Sequence, residues 1–190
     1  MRTRTAALVA ATAVCLGTLT PTTAQASVDG WADERTEAAA ATNAARTDAG
    51  LNTLTLTTTL NSVAQKCAEK VAQHLATTGD LAHCDGSLPG IADYAVRMPK
   101  GWSIANENVS AHPVGARGGA SVSLLVGSAP NRIILMTPGL THMGVGVAEA
   151  DGWRIYVHNY GAYASSPGPE GRTTTRPRWL PEKIREVWGP

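Results

Sequence analysis

The stretch that most limits what this chain can fold into is Leu60–Cys84, LNSVAQKCAEKVAQHLATTGDLAHC. Leu60, Val63, Ala64, Cys67, Ala68, Val71, Ala72 and Leu75 recur three and four residues apart. That spacing predicts a helix with one apolar face in a core. Gly79 supplies the stop signal, and a short loop then delivers His83 beside Cys84. One segment thus carries the core helix, the cysteines of a candidate bridge and a candidate cleft histidine.

The cysteines gain meaning from the start of the chain. Arg2 and Arg4 precede an apolar run from Ala6 to Leu19, and Ala24-Gln25-Ala26 has the small-x-small form of a cleavage site. Residues 1–26 therefore read as a secretory signal peptide, with a mature chain from Ser27. The run is short for a membrane span, and no later stretch is apolar enough, so an exported, extracellular protein without a transmembrane segment is expected. Val14 before Cys15 is not the small residue that a lipid-anchoring signal needs. Cys67 and Cys84 are then the only cysteines left, and in an oxidising compartment they read as one disulfide. Chain entropy gives a loop of that size about 3 kcal/mol. The alternative is a pair of buried free thiols. Lys and Arg total 16 and Asp and Glu 15. Two of the arginines fall in the signal, so the mature chain is near neutral and carries no nucleic-acid footprint. Phe is absent, so the core must be built from Ala, Val, Leu and a few Trp and Tyr.

Along the mature chain, Asp33 to Ala49 reads as a helix capped by Asp33 and followed by Gly50. The long helix begins near Thr58. Leu81 to Ser103, with Gly86, Pro89, Gly90, Pro99 and Gly101, reads as loop, as does Gly115 to Gly119. Ala120 to Gly127 reads as a helix, and Ser128 ahead of Pro130 fits a further helix start. Met143 to Val147 and Trp153 to Tyr160 flank Asp151-Gly152, a hairpin signal. Gly144 and Gly146 inside the first of these strands predict a bulge or a close backbone approach. From Ser165 five prolines mark an extended, partly disordered tail. Its interleaved Arg, Lys and Trp residues suit either a solvated tail or adhesion to anionic envelope polymers.

Five histidines are present. None forms an H-E-x-x-H pair, no cysteine cluster has zinc-site spacing, and there is no G-x-S-x-G elbow. His74 falls on the apolar side of the long helix and reads as structural. His158 alternates with Tyr156 and Tyr160 and reads as part of a surface face. His112 and His142 read as loop residues.

His83 and Glu107 stand apart because an ordered set of short pieces surrounds them. Asn43-x-x-Arg46 comes before Gly50-Leu51, then Leu54, Leu60 and Ala64. His83, Glu107-Asn108-Val109, Ser128-x-x-Asn131-Arg132 and Gly144-Val145-Gly146 follow, with a last strand ending at Tyr160-Gly161. This order resembles the CAP superfamily (cysteine-rich secretory proteins, antigen 5 and pathogenesis-related 1 proteins), in its bacterial secreted, SCP-like branch. The resemblance implies an α+β fold, a three-layer α-β-α sandwich with a small antiparallel sheet, for a domain over residues 27–163, with 164–190 as the tail. It also implies a cleft that in many members holds a divalent metal on two histidines and two glutamates. His83 matches the first histidine and Glu107 one glutamate. Asn131 stands where bacterial relatives have histidine in S-x-x-H-R, and no Asp or Glu lies between Glu107 and Glu149 to serve as the other glutamate.

A stable zinc site wants three or four protein ligands, and a neutral carboxamide is a poor donor. The expected cleft of His83, Glu107 and Asn131 thus has a degenerate metal site, with His83 and Glu107 as its metal-facing pair and at most weak zinc binding. No cofactor and no catalytic residue are expected. The reading is a monomeric, non-catalytic secreted protein that binds an unidentified ligand or a cell-envelope component, not nucleic acid. The alternatives are a metal-assisted hydrolase of peptides or envelope polymers, and a lipid or sterol carrier.

Overall fold

The computed structural model describes residues 28–164. The expected signal peptide and the proline-rich tail from Ser165 lie outside the described residues. A 3-10 turn at Val28–Trp31 runs straight into α1, Ala32–Asp48. The helix therefore starts ahead of Asp33, which is a first-turn acid beside Glu34 and not the cap. The long helix α2 spans Thr58–Thr78, with the Thr57 hydroxyl accepting the Leu60 N–H at 3.2 Å and Gly79 closing it in the left-handed region at φ 79°. Left-handed backbone at this position is what glycine tolerates without a Cβ clash. Of the predicted apolar stripe, every residue but Leu75 is buried.

The segment read as loop after Leu81 contains a four-residue helix, α3 (Tyr94–Arg97), too short to show a helical period. Its start is held by Asp93, whose carboxylate accepts the Ala95 N–H at 2.8 Å. Strand β2, Trp102–Pro113, follows, so His112 belongs to a strand and not to a loop. Helices α4 (Gly118–Gly127) and α5 (Ala129–Leu135) come next. Strands β3 (His142–Ala150) and β4 (Trp153–Tyr163) form the predicted hairpin, with His142 in its first strand. Asp151 and Gly152 both have positive φ, 48° and 80°, as a two-residue hairpin turn of this hand requires.

A short β1 (Thr55–Leu56) completes a sheet of order β1-β3-β4-β2. β1 runs parallel to β3, and the other pairings are antiparallel. Side chains alternate across each strand, and here both faces are covered. Val109, Ile155 and Val157 pack on α2 with Cys67 and Cys84. Met143, Val145, Val147, Tyr156 and Tyr160 pack on the layer of α1, α4 and α5. The result is the α-β-α sandwich that the resemblance implied.

Among the described residues the outer edge of β3 beyond β1 has no strand partner, and side chains supply one. Asn61 accepts the Val145 N–H at 2.9 Å, and Gln65 both accepts from and donates to Val147. Arg35 donates to the Val145 carbonyl and to Gln65. One helical step of four residues rises about 6 Å and two strand residues about 6.8 Å, so Asn61 and Gln65 keep pace with Val145 and Val147. Buried backbone groups left without such partners would each cost about 1–3 kcal/mol. The helix can lie this close because Gly144 and Gly146 have no Cβ. A Cβ at either position would sit inside the α2 backbone at Leu60 or Ala64.

The Asn43-x-x-Arg46 pair also proves structural. Asn43 accepts the Leu54 N–H at 2.7 Å and donates to the Leu54 carbonyl at 3.0 Å. Arg46 is fully buried and donates to the carbonyls of Asn52, Leu135 and Thr137. Together they lock α1 to the segment before β1 and to the end of α5. Asn43→Ala removes two hydrogen bonds and is expected to lower stability by about 1–3 kcal/mol in urea unfolding.

Candidate polar site under the disulfide loop

Cys67 sits on the buried face of α2, and the turn after Gly79 brings Cys84 back to it. The two form a disulfide with Cα atoms 5.9 Å apart, so the bridge expected from the cysteine count is present. The bridge pins the His83 loop against β2. There Glu107, 3% exposed, points toward α2. Its Oε1 accepts the Cys84 N–H at 2.9 Å and lies 3.3 Å from His83 Nδ1. Its Oε2 lies 3.5 Å from Cys67 Sγ; a bridged sulfur carries no proton, so this is contact and not a hydrogen bond. A buried carboxylate needs such donors, because desolvation without them is costly. His83 keeps 24% of its side chain open to solvent and is the outer wall of the group.

Asn159 was not singled out in the sequence, yet it belongs here. It is the register partner of Glu107 on β4 and is fully buried. Neither of its amide atoms has a partner among the described residues. A buried unpaired carboxamide beside an acid is the signal that could have found it, but only once the register is known.

Asn131 comes to the other face of the sheet. Asn108, next to Glu107 in β2 and so facing the opposite way, donates to the Asn131 carbonyl at 3.0 Å. The Asn131 side chain itself donates to Ser128 at 3.1 Å. The site on the α2 face is therefore built from His83, Glu107 and the disulfide. A resident metal of the kind the resemblance implies does not fit this donor set. One imidazole and one carboxylate converge, Asn131 adds only an amide from the far side, and bridged sulfurs are poor ligands.

The opposite face holds a second polar group. Ser121 Oγ is 2.8 Å from His158 Nε2 and 2.9 Å from Ser110 Oγ, which is 3.3 Å from His112 Nε2. His158 is fully buried, which corrects its reading as a surface residue: the α1, α4 and α5 layer covers that face of β4. Burial lowers its pKa to about 3, with a contribution from His112. His112 is also lowered by burial. The Ser121–His158 pair has the spacing of a nucleophile and base, but Ser121 is fully buried and no substrate reaches it. His142 packs edge-on against Tyr163, and His74 is half-buried on α2. An open cavity of about 290 Å³ lies further along the α2 face, lined by Leu75, Gly79, Leu81, Ala111, Asp151 and Trp153.

The profile of CAP, the cysteine-rich secretory protein family, matches residues 39–160. Among curated protein sequences, none matches this chain. Similar solved structures include an extracellular protein containing an SCP domain from Bacillus anthracis, at 20% identity and TM-score 0.51, over 67% of this chain and 40% of that one. An outer surface protein from Borrelia burgdorferi aligns at 17% identity and TM-score 0.55, over 70% of this chain and 95% of its own. At these identities the likeness is one of fold. The chain spans less than half the length of the Bacillus protein.

Proposed function

Starting from the fact that this chain belongs to the cysteine-rich secretory protein (CAP) family, we propose that it is an exported, non-catalytic member that binds a ligand or a cell-envelope partner. One observation carries the reading: the buried carboxylate of Glu107 is occupied in holding the disulfide loop, through the Cys84 N–H and His83. Among the described residues the pocket has two such donors, short of the three or four that a resident zinc ion needs, and no second carboxylate to act as base toward a metal-bound water. The neighbours described as extracellular or outer-surface proteins support export. Among the described residues no helix is long and apolar enough to cross a membrane. Leu81 and Trp153, each roughly half exposed at the open cavity, give a partner an apolar foothold on the α2 face.

The test compares disulfide-intact protein, prepared with zinc present, before and after exhaustive chelation. Both forms are expected to unfold at the same temperature, because a ligand that binds only the folded state raises that temperature. Neither is expected to hydrolyse peptides or cell-wall polymers. A hydrolysis that chelator abolishes, zinc restores and His83→Ala removes would overturn the proposal in favour of a metal-assisted hydrolase.

A further inference from the structure

The two sulfurs and Glu107 form a group whose ligand atoms all lie within 4.8 Å of one another. His83 Nδ1 is outside that group but borders it, 3.3 Å from Glu107 Oε1. We infer that reduction of the Cys67–Cys84 disulfide converts this structural clamp into a tetrahedral site for zinc, with Cys67, Cys84, Glu107 and His83 as ligands. The bridged form has one imidazole and one carboxylate to offer. The reduced form adds two thiolates, the ligands zinc prefers.

Two of the tetrahedral edges have near counterparts already. Zinc–ligand bonds of about 2.0–2.3 Å give tetrahedral edges of about 3.3 Å between nitrogen and oxygen and about 3.5 Å between oxygen and sulfur. At present His83 Nδ1 lies 3.3 Å from Glu107 Oε1 and Cys67 Sγ lies 3.5 Å from Oε2, so the carboxylate must turn and the His83 loop close in for one oxygen to serve both edges. The sulfurs must part from their bond to about 3.8 Å, the edge set by two zinc–sulfur bonds. Cys84 lies on a loop, which can yield more readily than α2 or the sheet. Asn159, buried and unpaired opposite Glu107, is placed to hydrogen-bond the ligating carboxylate.

The chemistry balances. A two-electron reductant, a dithiol in a biological setting, breaks the S–S bond, gives two thiols and leaves as its own disulfide. Each thiol then releases one proton as it binds zinc, so affinity rises with pH. This goes beyond the function proposed above, which concerns the bridged form.

The experiment titrates the full chain with cobalt(II), as a spectroscopic stand-in for zinc, in the bridged form and after anaerobic reduction. The reductant is a water-soluble phosphine, which leaves as its oxide with an oxygen atom from water. The reduced protein is expected to bind one equivalent with a sulfur-to-cobalt charge-transfer band and the visible bands of tetrahedral cobalt. The bridged protein is expected to show neither. Reduced His83→Ala and Glu107→Ala should each bind at least tenfold more weakly, and the double variant Cys67→Ser, Cys84→Ser should lose the charge-transfer band. Circular dichroism is read at each step. If reduction unfolds the chain, cobalt or zinc must restore the helical signal, because ligand geometry and fold then form together. A reduced protein with no charge-transfer band, or one whose helices metal does not restore, overturns the inference. So does a band that is insensitive to His83→Ala and Glu107→Ala. Only the bridged arm bears on whether the bridged form binds zinc, the point on which the proposed function stands; the readings on the reduced protein test the inference alone.

Discussion

Gly146→Ala is expected to destabilise the protein by at least about 3 kcal/mol, near the upper end for single substitutions. The added methyl would occupy the space of the Ala64 carbonyl and the Gln65 amide of α2. Those are backbone atoms in mid-helix, so no side-chain rotation relieves the clash and α2 must lift from β3. Lifting it breaks the bonds from Asn61 and Gln65 to Val145 and Val147, which stand in for a missing strand. It also loosens the layer that holds Cys67 under the disulfide loop. Gly127→Ala is the matching control. Gly127 is the last residue of α4, and a Cβ there meets nothing within 4 Å. Losing glycine's freedom in a helix favours the fold, so this variant is expected to be neutral or up to about 1 kcal/mol more stable. Urea midpoints of the two variants against the parent decide the matter. A Gly146→Ala variant that unfolds with the parent would show that α2 does not rest on bare β3 backbone.

Stability is expected to fall by about 2 kcal/mol between pH 7 and pH 5 on account of His158 alone, with His112 and His142 adding in the same direction. Burial sets the sign. It lowers the His158 pKa from 6.5 to about 3, aided by the nearby His112, and lowers His112 and His142 too. The folded protein keeps these rings neutral while the unfolded chain takes up protons as pH drops through 6.5. Their contribution is therefore complete above the unfolded pKa and is lost as pH falls from there toward about 3 for His158. The window from pH 7 to 5 isolates histidines, since carboxylates titrate mainly below it. His158→Gln leaves Ser121 a polar partner without a titrating ring, so its urea midpoint should depend less on pH across that window. A slope equal to the parent's would place the acid sensitivity elsewhere.

The elements that sequence made legible are those written in local signals. The α2 stripe, its Gly79 stop, the Asp151-Gly152 turn and the Cys67–Cys84 bridge each depend on residues close in sequence or on a count of two. Gly144 and Gly146 marked a bulge or a close approach; the structure shows the approach, to α2, which lies far away in the chain. What escaped was parity and cover. Alternation along β4 places Tyr156, His158 and Tyr160 on one face, but only the presence of α1, α4 and α5 decides that this face is inside. Parity along β2 likewise decides that Glu107 meets the disulfide while Asn108 meets Asn131. A one-residue shift would exchange them. Asn159 was invisible for the same reason, because its place opposite Glu107 follows from register alone.

The most direct test of the clamp at His83 and Glu107 is calorimetric titration of zinc into the full chain with the Cys67–Cys84 bridge verified intact by mass spectrometry. No saturable one-to-one heat is expected at sub-micromolar concentrations. A single site of sub-micromolar affinity that disappears in His83→Ala would mean that this pocket gathers more ligands than the imidazole and carboxylate now facing each other, and would contradict that expectation.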